Sequence, residues 1–278
     1  MSKIFDKKYG NYKFHIEQFN SAAEVADTCD HREITDSSFN DIRTEARASW
    51  HGATYDEALD MLQHGYQNAV DNMRGVFKTN KTGEVKRFAF QNNIQGFAPV
   101  VPLALKGVPN CMIDMRVRPI KAKVIDVYYD STFANYVDKD DIIKVGQKVL
   151  GSIVELERQG YRFNLYAMQS YCDSSGADVM IVKVKSAEQP LDLKRISFPL
   201  THTAFFRVIG FDWYSKVPGG KYRSGYGHAL VHEFKDGKAE KIMGNVLGTN
   251  SVYIAGTNIL REDKQYIKEV LTNGNSKA

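Results

Sequence analysis

Apolar residues recur at helical spacing in one short segment near the amino terminus. Segment 54–65 begins with Thr54 and Glu57, whose separation is that of a capping box, in which each side chain bonds the backbone of the other residue. Its apolar residues fall on one face, and Gly65 supplies the left-handed residue that ends many helices. The pattern predicts a capped helix over 54–65.

The rest of the amino-terminal region carries weaker signals. Segments 12–28 and 38–48 have apolar residues at approximately helical spacing, and 74–84 is a polar connection that contains Gly and Lys. The sequence therefore predicts a first region, 1–114, that is mainly helical and includes a basic extended segment.

The pattern changes after this region. Segment 120–129 is rich in β-branched and aromatic residues and ends at an Asp-Ser-Thr cluster, which predicts a strand followed by a loop. Segment 139–159 has a long apolar stripe at helical spacing, which predicts a buried helix. Segments 161–168 and 177–185 are typical of strands, and the connection between them is too short for a parallel crossover. We therefore expect an antiparallel hairpin.

The last part of the chain continues to alternate between strands and helices. The patterns predict a helix within 190–217, a strand over 227–234, a strand over 251–259 and an amphipathic helix over 262–272. Strands and helices in this order, with one hairpin, are typical of a three-layer α/β domain with a mixed sheet. The sequence predicts such a domain over 115–278.

The end of the first of these strands carries candidate metal ligands. Asp126 and Asp130 are followed by Ser131 and Thr132, whose oxygens suit a hard divalent cation. A strand that ends in an acidic loop, then a long helix and a hairpin, resembles the von Willebrand factor A-like domain. The resemblance implies a metal-ion-dependent adhesion site with an Asp-x-Ser-x-Ser pattern, completed by a Thr and an Asp from later loops. Neither aspartate starts that spacing here, so the sequence favours a loop without metal, and a bound cation is the alternative.

Several short motifs occur in order over much of the chain. They are Trp50-x-Gly52-x-Thr54-Tyr55-x-Glu57-Ala58 with Gly65-Tyr66, Gly96-x-x-Pro99-Val100, Gly107-x-Pro109-x-x-Met112, Leu156-Glu157-x-x-Gly160-Tyr161-Arg162, Leu200-Thr201-His202-Thr203-Ala204-Phe205-Phe206-Arg207-Val208 and Gly225-Tyr226-Gly227. Together they are similar to an uncharacterised family encoded by tailed bacteriophages. The resemblance implies a phage or prophage source and a location in the host cytoplasm or the virion, and it assigns no catalytic residue.

The composition limits the class of protein, and the distribution of charge along the chain suggests candidate binding partners. Of the 278 residues, 43% are hydrophobic and 25% are charged, which is typical of a globular protein and not of a disordered, collagen-like or membrane protein. Residues 1–75 hold 8 Lys and Arg against 13 Asp and Glu, a net charge of −5, whereas residues 76–125 hold 9 against 2, a net charge of +7. The simplest interpretation of the basic residues is the solvated side of an extended segment. Alternatives are a patch that binds nucleic acid and contact with the acidic part of the same or a neighbouring copy.

Other candidate chemistry is weak. Cys29, Cys111 and Cys172 show no metal or redox spacing and are expected to be reduced thiols. His228 and His232 lie four residues apart on a predicted strand, a separation of about 13 Å that is too long for one zinc ion. The Gly-rich segments lack the lysine and helix of a phosphate loop.

An aromatic cluster is the candidate partner surface. Phe205, Phe206 and Trp213 lie in the predicted helical segment within 190–217, and Trp50 precedes the capped helix. At helical spacing such a cluster usually belongs to the core, and an exposed surface that binds another protein is the alternative.

Two functions from different classes remain. The favoured one is a non-enzymatic phage protein that binds other phage proteins or further copies of itself, in the virion or during its assembly, with no cofactor and no membrane. The alternative is a metal-dependent enzyme that acts on phosphate esters or nucleic acid through Asp126 and Asp130, with Asp173 or Asp212 as a third acid. A divalent cation between these carboxylates would favour the enzyme.

Overall fold

The computed structural model contains two β-sheets in the residues that it describes. It describes residues 2–34, 48–67, 87–118, 123–218, 228–248 and 251–273. The strands in these stretches are β1 (Lys3–Tyr9), β2 (Tyr12–Phe19), β3 (Arg87–Asn93), β4 (Ala98–Pro99), β5 (Met112–Arg118), β6 (Val124–Asp130), β7 (Arg162–Cys172), β8 (Gly176–Lys185) and β9 (Ser251–Ala255). Strands β3, β4 and β5 form a separate small sheet, and the other six strands form the main sheet.

The main sheet is mixed and has the strand order β1-β2-β8-β7-β6-β9. Strand β6 pairs in parallel with both β7 and β9, whereas β7 and β8 form an antiparallel hairpin. Strand β2 joins β8 in parallel and β1 in antiparallel orientation. The predictions of an α/β class, a mixed sheet and a hairpin over 161–168 and 177–185 are confirmed.

Helices lie between the strands and after the last of them. They are α1 (Ala22–Asp30), α2 (Ala48–His51), α3 (Tyr55–His64), α4 (Val101–Leu105), α5 (Lys139–Arg158), α6 (Leu193–Thr201), a π-helix (Phe205–Gly210), α7 (Phe211–Lys216), α8 (Leu230–Glu233), α9 (Lys238–Leu247) and α10 (Lys264–Asn273). Of the helices described, none is long and apolar enough to cross a membrane.

Two predicted helices are confirmed in detail. Helix α3 begins with a capping box, because the Glu57 backbone N–H donates to Thr54 Oγ1 at 3.3 Å and the Thr54 backbone N–H donates to Glu57 Oε2 at 2.9 Å. Gly65 follows it with a positive φ of 86°. Helix α5 matches the buried helix predicted over 139–159.

Apolar side chains cover both faces of the main sheet. On β6, Val127 and Tyr129 belong to a cluster that includes Val149 of α5, and Tyr128 belongs to a second cluster that includes Met243 of α9. Successive residues of a strand face opposite sides of the sheet. Helices therefore lie on both sides, in three layers.

The amino-terminal region differs from its prediction. The helix predicted over 12–28 is wrong in its first half, where the chain forms β2, and only α1 is helical. Tyr12, Phe14 and Ile16 are buried and alternate along the strand, so burial against the sheet favours the period of two. In the described residues before 115, strands are therefore present beside the helices, and β1 and β2 belong to the main sheet.

The other amino-terminal predictions fall partly outside the described residues. All of 74–84 and all but the last residue of 38–48 lie there. The boundary predicted after residue 114 falls inside β5.

The strand predicted over 227–234 is wrong. Residues Leu230–Glu233 form helix α8, and the Ala229 backbone N–H donates to His232 Nδ1 at 3.1 Å at its start. A side chain that bonds nearby backbone in this way competes with strand pairing. Strand β9 and helix α10 lie within the strand and helix predicted over 251–259 and near 262–272.

The helix predicted within 190–217 is divided by the π-helix. A Cβ atom at Gly210 would lie 1.6 Å from Gln169 Oε1, and Gln169 Nε2 donates to the Phe205 carbonyl at 3.0 Å. The Gln169 side chain of β7 therefore reaches into the helical backbone. Side chains that enter the hydrogen-bond ladder in this way are a known cause of local irregularity in helices.

Candidate functional site

Asp130 lies at the carboxyl end of the central strand β6 and is enclosed by hydrogen bonds. Its Oδ1 accepts from the Thr132 backbone N–H at 3.0 Å, and its Oδ2 accepts from Ser170 Oγ at 2.6 Å and from the Tyr253 hydroxyl at 2.8 Å. Burial raises the pKa of Asp130 above its usual range, against the effect of these bonds to the carboxylate. Hydroxyl and amide donors thus compensate this carboxylate.

Ser131 and Thr132 are also buried and bonded to neighbouring strands. The Ser131 backbone N–H donates to the Met168 carbonyl at 2.9 Å, and Thr132 Oγ1 accepts from the Ser170 backbone N–H at 2.8 Å. The hydroxyl of Thr132 and the amide of Ser131 therefore fasten the end of β6 to β7. The two residues support the sheet and do not line an open cleft.

Asp126 is not a neighbour of Asp130. The two residues are four positions apart on one strand, a distance of about 13 Å at the usual rise of about 3.3 Å per residue. Asp126 Oδ1 instead accepts from Asn164 Nδ2 at 2.6 Å. The two candidate ligands therefore lie apart, because an extended strand separates them.

The proposed third acids are engaged elsewhere. Asp212 forms a buried ion pair with Lys216, with 3.0 Å between Oδ1 and Nζ. Asp173 Oδ1 accepts from the Ser175 backbone N–H at 2.7 Å in a turn. Among the residues that the structure describes, no three His, Cys, Asp or Glu side chains are placed to hold a metal ion.

The aromatic cluster offered as a candidate partner surface is mostly core, as its helical spacing favoured, and its three buried members form no exposed surface. Phe205, Phe206 and Trp213 are buried, and Trp213 Nε1 donates to Glu17 Oε2 at 2.8 Å. Trp50 is half-buried, and the Arg207 guanidinium lies 4.2 Å from the centre of its ring. The aromatic residues bury because the π-helix and α7 pack on the main sheet.

Arg207 joins three segments from inside the protein. Its Nη1 donates to the Trp50 carbonyl at 2.9 Å, and its Nη2 donates to the Val137 carbonyl at 2.6 Å. Burial lowers the pKa of Arg207 to about 10. The arrangement holds α2 and the start of α5 against the π-helix, which is a structural role.

His228 and His232 lie closer together than the strand prediction implied. Helix α8 brings their ring centres to 5.5 Å, and His228 Nε2 lies 3.7 Å from Glu233 Oε2. Burial, with smaller effects from His228 and Lys235, lowers the pKa of His232. The separation of about 13 Å expected for a strand is therefore wrong.

The small sheet carries a group of exposed apolar side chains that sequence reasoning missed. Six large apolar residues are between 48% and 83% exposed, and together we name them the small-sheet patch. They are Phe90, Ile94, Phe97, Val101, Leu105 and Met115. Every residue from 90 to 115 is exposed or half-buried, so this part of the chain has no core of its own.

The strand register brings members of the patch together. Phe90 and Met115 are directly opposite on β3 and β5, and the rings of Phe90 and Phe97 are 6.2 Å apart. Beside them lies a groove of about 340 Å³, lined by Phe90, Gln91, Asn92, Phe97, Val100 and Ile113. The patch therefore combines protruding apolar side chains with a groove that can receive others.

A local glycine shapes this groove. A Cβ atom at Gly96 would lie 2.1 Å from the Ile113 carbonyl oxygen, which accepts from the Phe97 backbone N–H at 2.9 Å. Only glycine permits this close approach of the turn to β5. The run of apolar residues between Gly96 and Gly107, with a helix too short to bury them, was the signal in the sequence.

Comparison with known proteins identifies one family. A family model described as Domain of unknown function (DUF7192) matches residues 7–275. No curated protein and no solved structure matched the chain.

Proposed function

We propose that this chain, which belongs to the family of the Domain of unknown function (DUF7192), acts by binding another protein through the small-sheet patch. The observation that carries the proposal is the exposure of six large apolar side chains in the segment 90–115, in which no residue is buried. Large contiguous apolar patches on soluble proteins mark sites of interaction.

The small sheet needs a second layer of protein packed on its apolar side chains to be stable. Burying a large apolar side chain stabilises by about 1.5–3 kcal/mol, and a sheet of a few strands needs an apolar face packed against something to be stable. The described residues of this segment supply no such layer. A protein partner seated on Phe90, Phe97 and Met115 would supply it.

We place this binding in the virion of a tailed phage or in its assembly in the host cytoplasm. The ordered motifs that begin at Trp50 and continue through Phe205 support this context. The succession of β6, α5 and the β7–β8 hairpin supports a von Willebrand factor A-like domain beside the small sheet.

The enzymatic alternative has less support. It requires Asp126 and Asp130 to share a cation, but about 13 Å of strand separates the two residues. Asp130 is also enclosed by three donors. We therefore do not propose a reaction at this edge of the sheet.

A photo-crosslinking experiment tests the proposal. A benzophenone amino acid replaces Phe97 in the patch and, as the control, Tyr136, which is 83% exposed and lies outside the small sheet. We expect irradiation of the producing cells to join a protein to position 97 and not to position 136. Equal labelling at both positions, or none at position 97, would contradict the proposal.

A further inference from the structure

Three arginines occupy register positions at one end of the small sheet. Arg87 of β3 and Arg118 of β5 are directly opposite in the register, and Arg116 lies two positions before Arg118. Along the sequence, residues 76–125 hold 9 Lys and Arg against 2 Asp and Glu. Lys106 at the end of α4 is exposed and adds to the charge. A partner of this surface should therefore offer carboxylates beside apolar groups.

Such a surface exists on the same chain. Helices α1 and α3 pack against each other, and they present exposed acids, which we name the acidic helix surface. Its members are Asp27, Asp30, Asp56, Glu57 and Asp60. Half-buried Leu59 lies among them on α3 and offers an apolar contact. The acidic helix surface is opposite in charge to the basic segment 76–125, and Leu59 adds an apolar contact for the small-sheet patch.

Within one copy these two surfaces have other neighbours. In the described part of the chain, α3 packs on α1, α6 and the π-helix, and β5 packs on β3 and β4. The complementary surface of a second copy is therefore the natural occupant.

We propose that the small-sheet patch of one copy docks on the acidic helix surface of a second copy, in a head-to-tail contact. This inference rests on the proposed function and names its partner. A contact between two different surfaces leaves one of each free, so it continues into a ring or a filament. The charge of −5 over residues 1–75 and of +7 over residues 76–125 favours this orientation over a two-fold contact between two basic patches.

Sedimentation of the full chain tests the contact, with one variant on each surface. Leu105→Asp places a charge in the patch, and Asp27→Lys with Asp60→Lys reverses charge on the acidic helix surface. Both surfaces are exposed, so each variant should keep the melting temperature of the native chain. We expect the native chain to form species larger than dimers, and each variant to weaken association by about 100-fold. Tyr136→Asp, at an equally exposed site, should leave association unchanged.

Mixing the two variants gives the decisive result. Each variant retains one intact surface, so an equimolar mixture should form a one-to-one pair that does not grow further. Association should also weaken as salt rises from about 0.05 to about 0.5 M, because exposed charges are screened. A mixture that stays monomeric, or a native chain that is monomeric at about 100 µM, would overturn the inference.

The outcomes also separate this inference from the proposed function. If the chain is monomeric but position 97 crosslinks a different protein, the second-copy contact fails and protein binding stands. If position 97 crosslinks no protein, both fail. If the small sheet binds single-stranded or duplex nucleic acid and shows no self-association, the contact between copies is likewise overturned.

Discussion

Tyr253 and Asp130 join two neighbouring parallel strands through a buried hydrogen bond. The Tyr253 hydroxyl donates to Asp130 Oδ2 at 2.8 Å. Because β9 is an edge of the main sheet, this bond fastens the edge to the central strand β6. A buried carboxylate depends on such donors in place of water.

Tyr253→Phe should destabilise the protein, and the loss should depend on pH. Burial raises the pKa of Asp130 in the folded protein above its value in the unfolded chain. The folded protein therefore loses stability as pH rises from the pKa of the unfolded chain to the pKa of the folded protein, because Asp130 must ionise while buried. The Tyr253 bond stabilises the ionised form, and removing it raises the pKa further. We expect a loss of about 1–3 kcal/mol where Asp130 is ionised and a smaller loss at low pH where it is protonated. Urea unfolding at a series of pH values measures both.

Tyr129→Phe is the matched control for this experiment. Tyr129 is also buried, and its hydroxyl has no hydrogen-bond partner among the described residues. Removing an unpartnered buried hydroxyl should be neutral or stabilising. An equal loss in the two variants would contradict the role assigned to the Tyr253 hydroxyl.

Local signals predicted helices α3 and α5 and the β7–β8 hairpin. The Thr54 and Glu57 pair, the apolar stripe of α5 and the short connection between β7 and β8 each depend on neighbours in sequence, and each prediction is confirmed. Strand β2 was missed because it contains Glu17, which looks like a surface residue. Its burial depends on Arg32, which reaches it from beyond α1.

Sequence patterns did not predict which of the aromatic side chains are exposed to solvent. Phe205 and Trp213 are buried, whereas Phe90 and Phe97 are exposed, although all four are aromatic residues in apolar runs. The difference is whether the chain supplies a second layer over them. A period of two or of 3.6 identifies an apolar face, but it does not say what covers that face. For the same reason the sequence offered the buried aromatic cluster as an alternative partner surface and did not point to the exposed side chains of the small sheet.

Arg32→Ala should be strongly destabilising. Arg32 donates to both oxygens of the buried Glu17 carboxylate, at 2.7 and 2.6 Å. Burial opposes ionisation of Glu17, but the bonds from Arg32, Ser2 and Trp213 lower its pKa below the usual range. Removing one partner of a buried ion pair costs about 3–5 kcal/mol. Chemical denaturation at neutral pH measures the loss.

The pH dependence and a double variant check this explanation. The pKa of Glu17 is lower in the folded protein than in the unfolded chain. Ionised Glu17 therefore stabilises the folded protein at pH values above the pKa of the unfolded chain, and this stabilisation is lost as pH falls through the pKa of the folded protein. The difference between the native chain and Arg32→Ala should therefore shrink in acid. Adding Glu17→Gln to Arg32→Ala should restore part of the stability, since no buried charge is left unpaired. A double variant less stable than Arg32→Ala would count against the ion pair.

Thr54→Ala should weaken helix α3. The change removes the acceptor of the Glu57 backbone N–H and should cost about 1 kcal/mol of unfolding free energy. Thr54→Ser keeps the hydroxyl and should stay close to the native value. Urea unfolding of the two variants compares them directly, and equal losses would show that the cap oxygen does not contribute.

Gly96→Ala should abolish binding by the small sheet while the main sheet stays intact. The added Cβ would lie 2.1 Å from the Ile113 carbonyl oxygen, which is backbone and cannot rotate away as a side chain could. The turn must then separate from β5, and the Phe97 ring moves from its place 6.2 Å from Phe90. We expect crosslinking from position 97 and self-association to fall together, with the melting temperature of the main sheet unchanged.

Gly107→Ala is the control, because a Cβ atom there meets nothing within 4 Å and its cost is limited to the positive φ of 68°. If the Gly96→Ala variant self-associates as strongly as the native chain, the groove beside Phe97 takes no part in the contact.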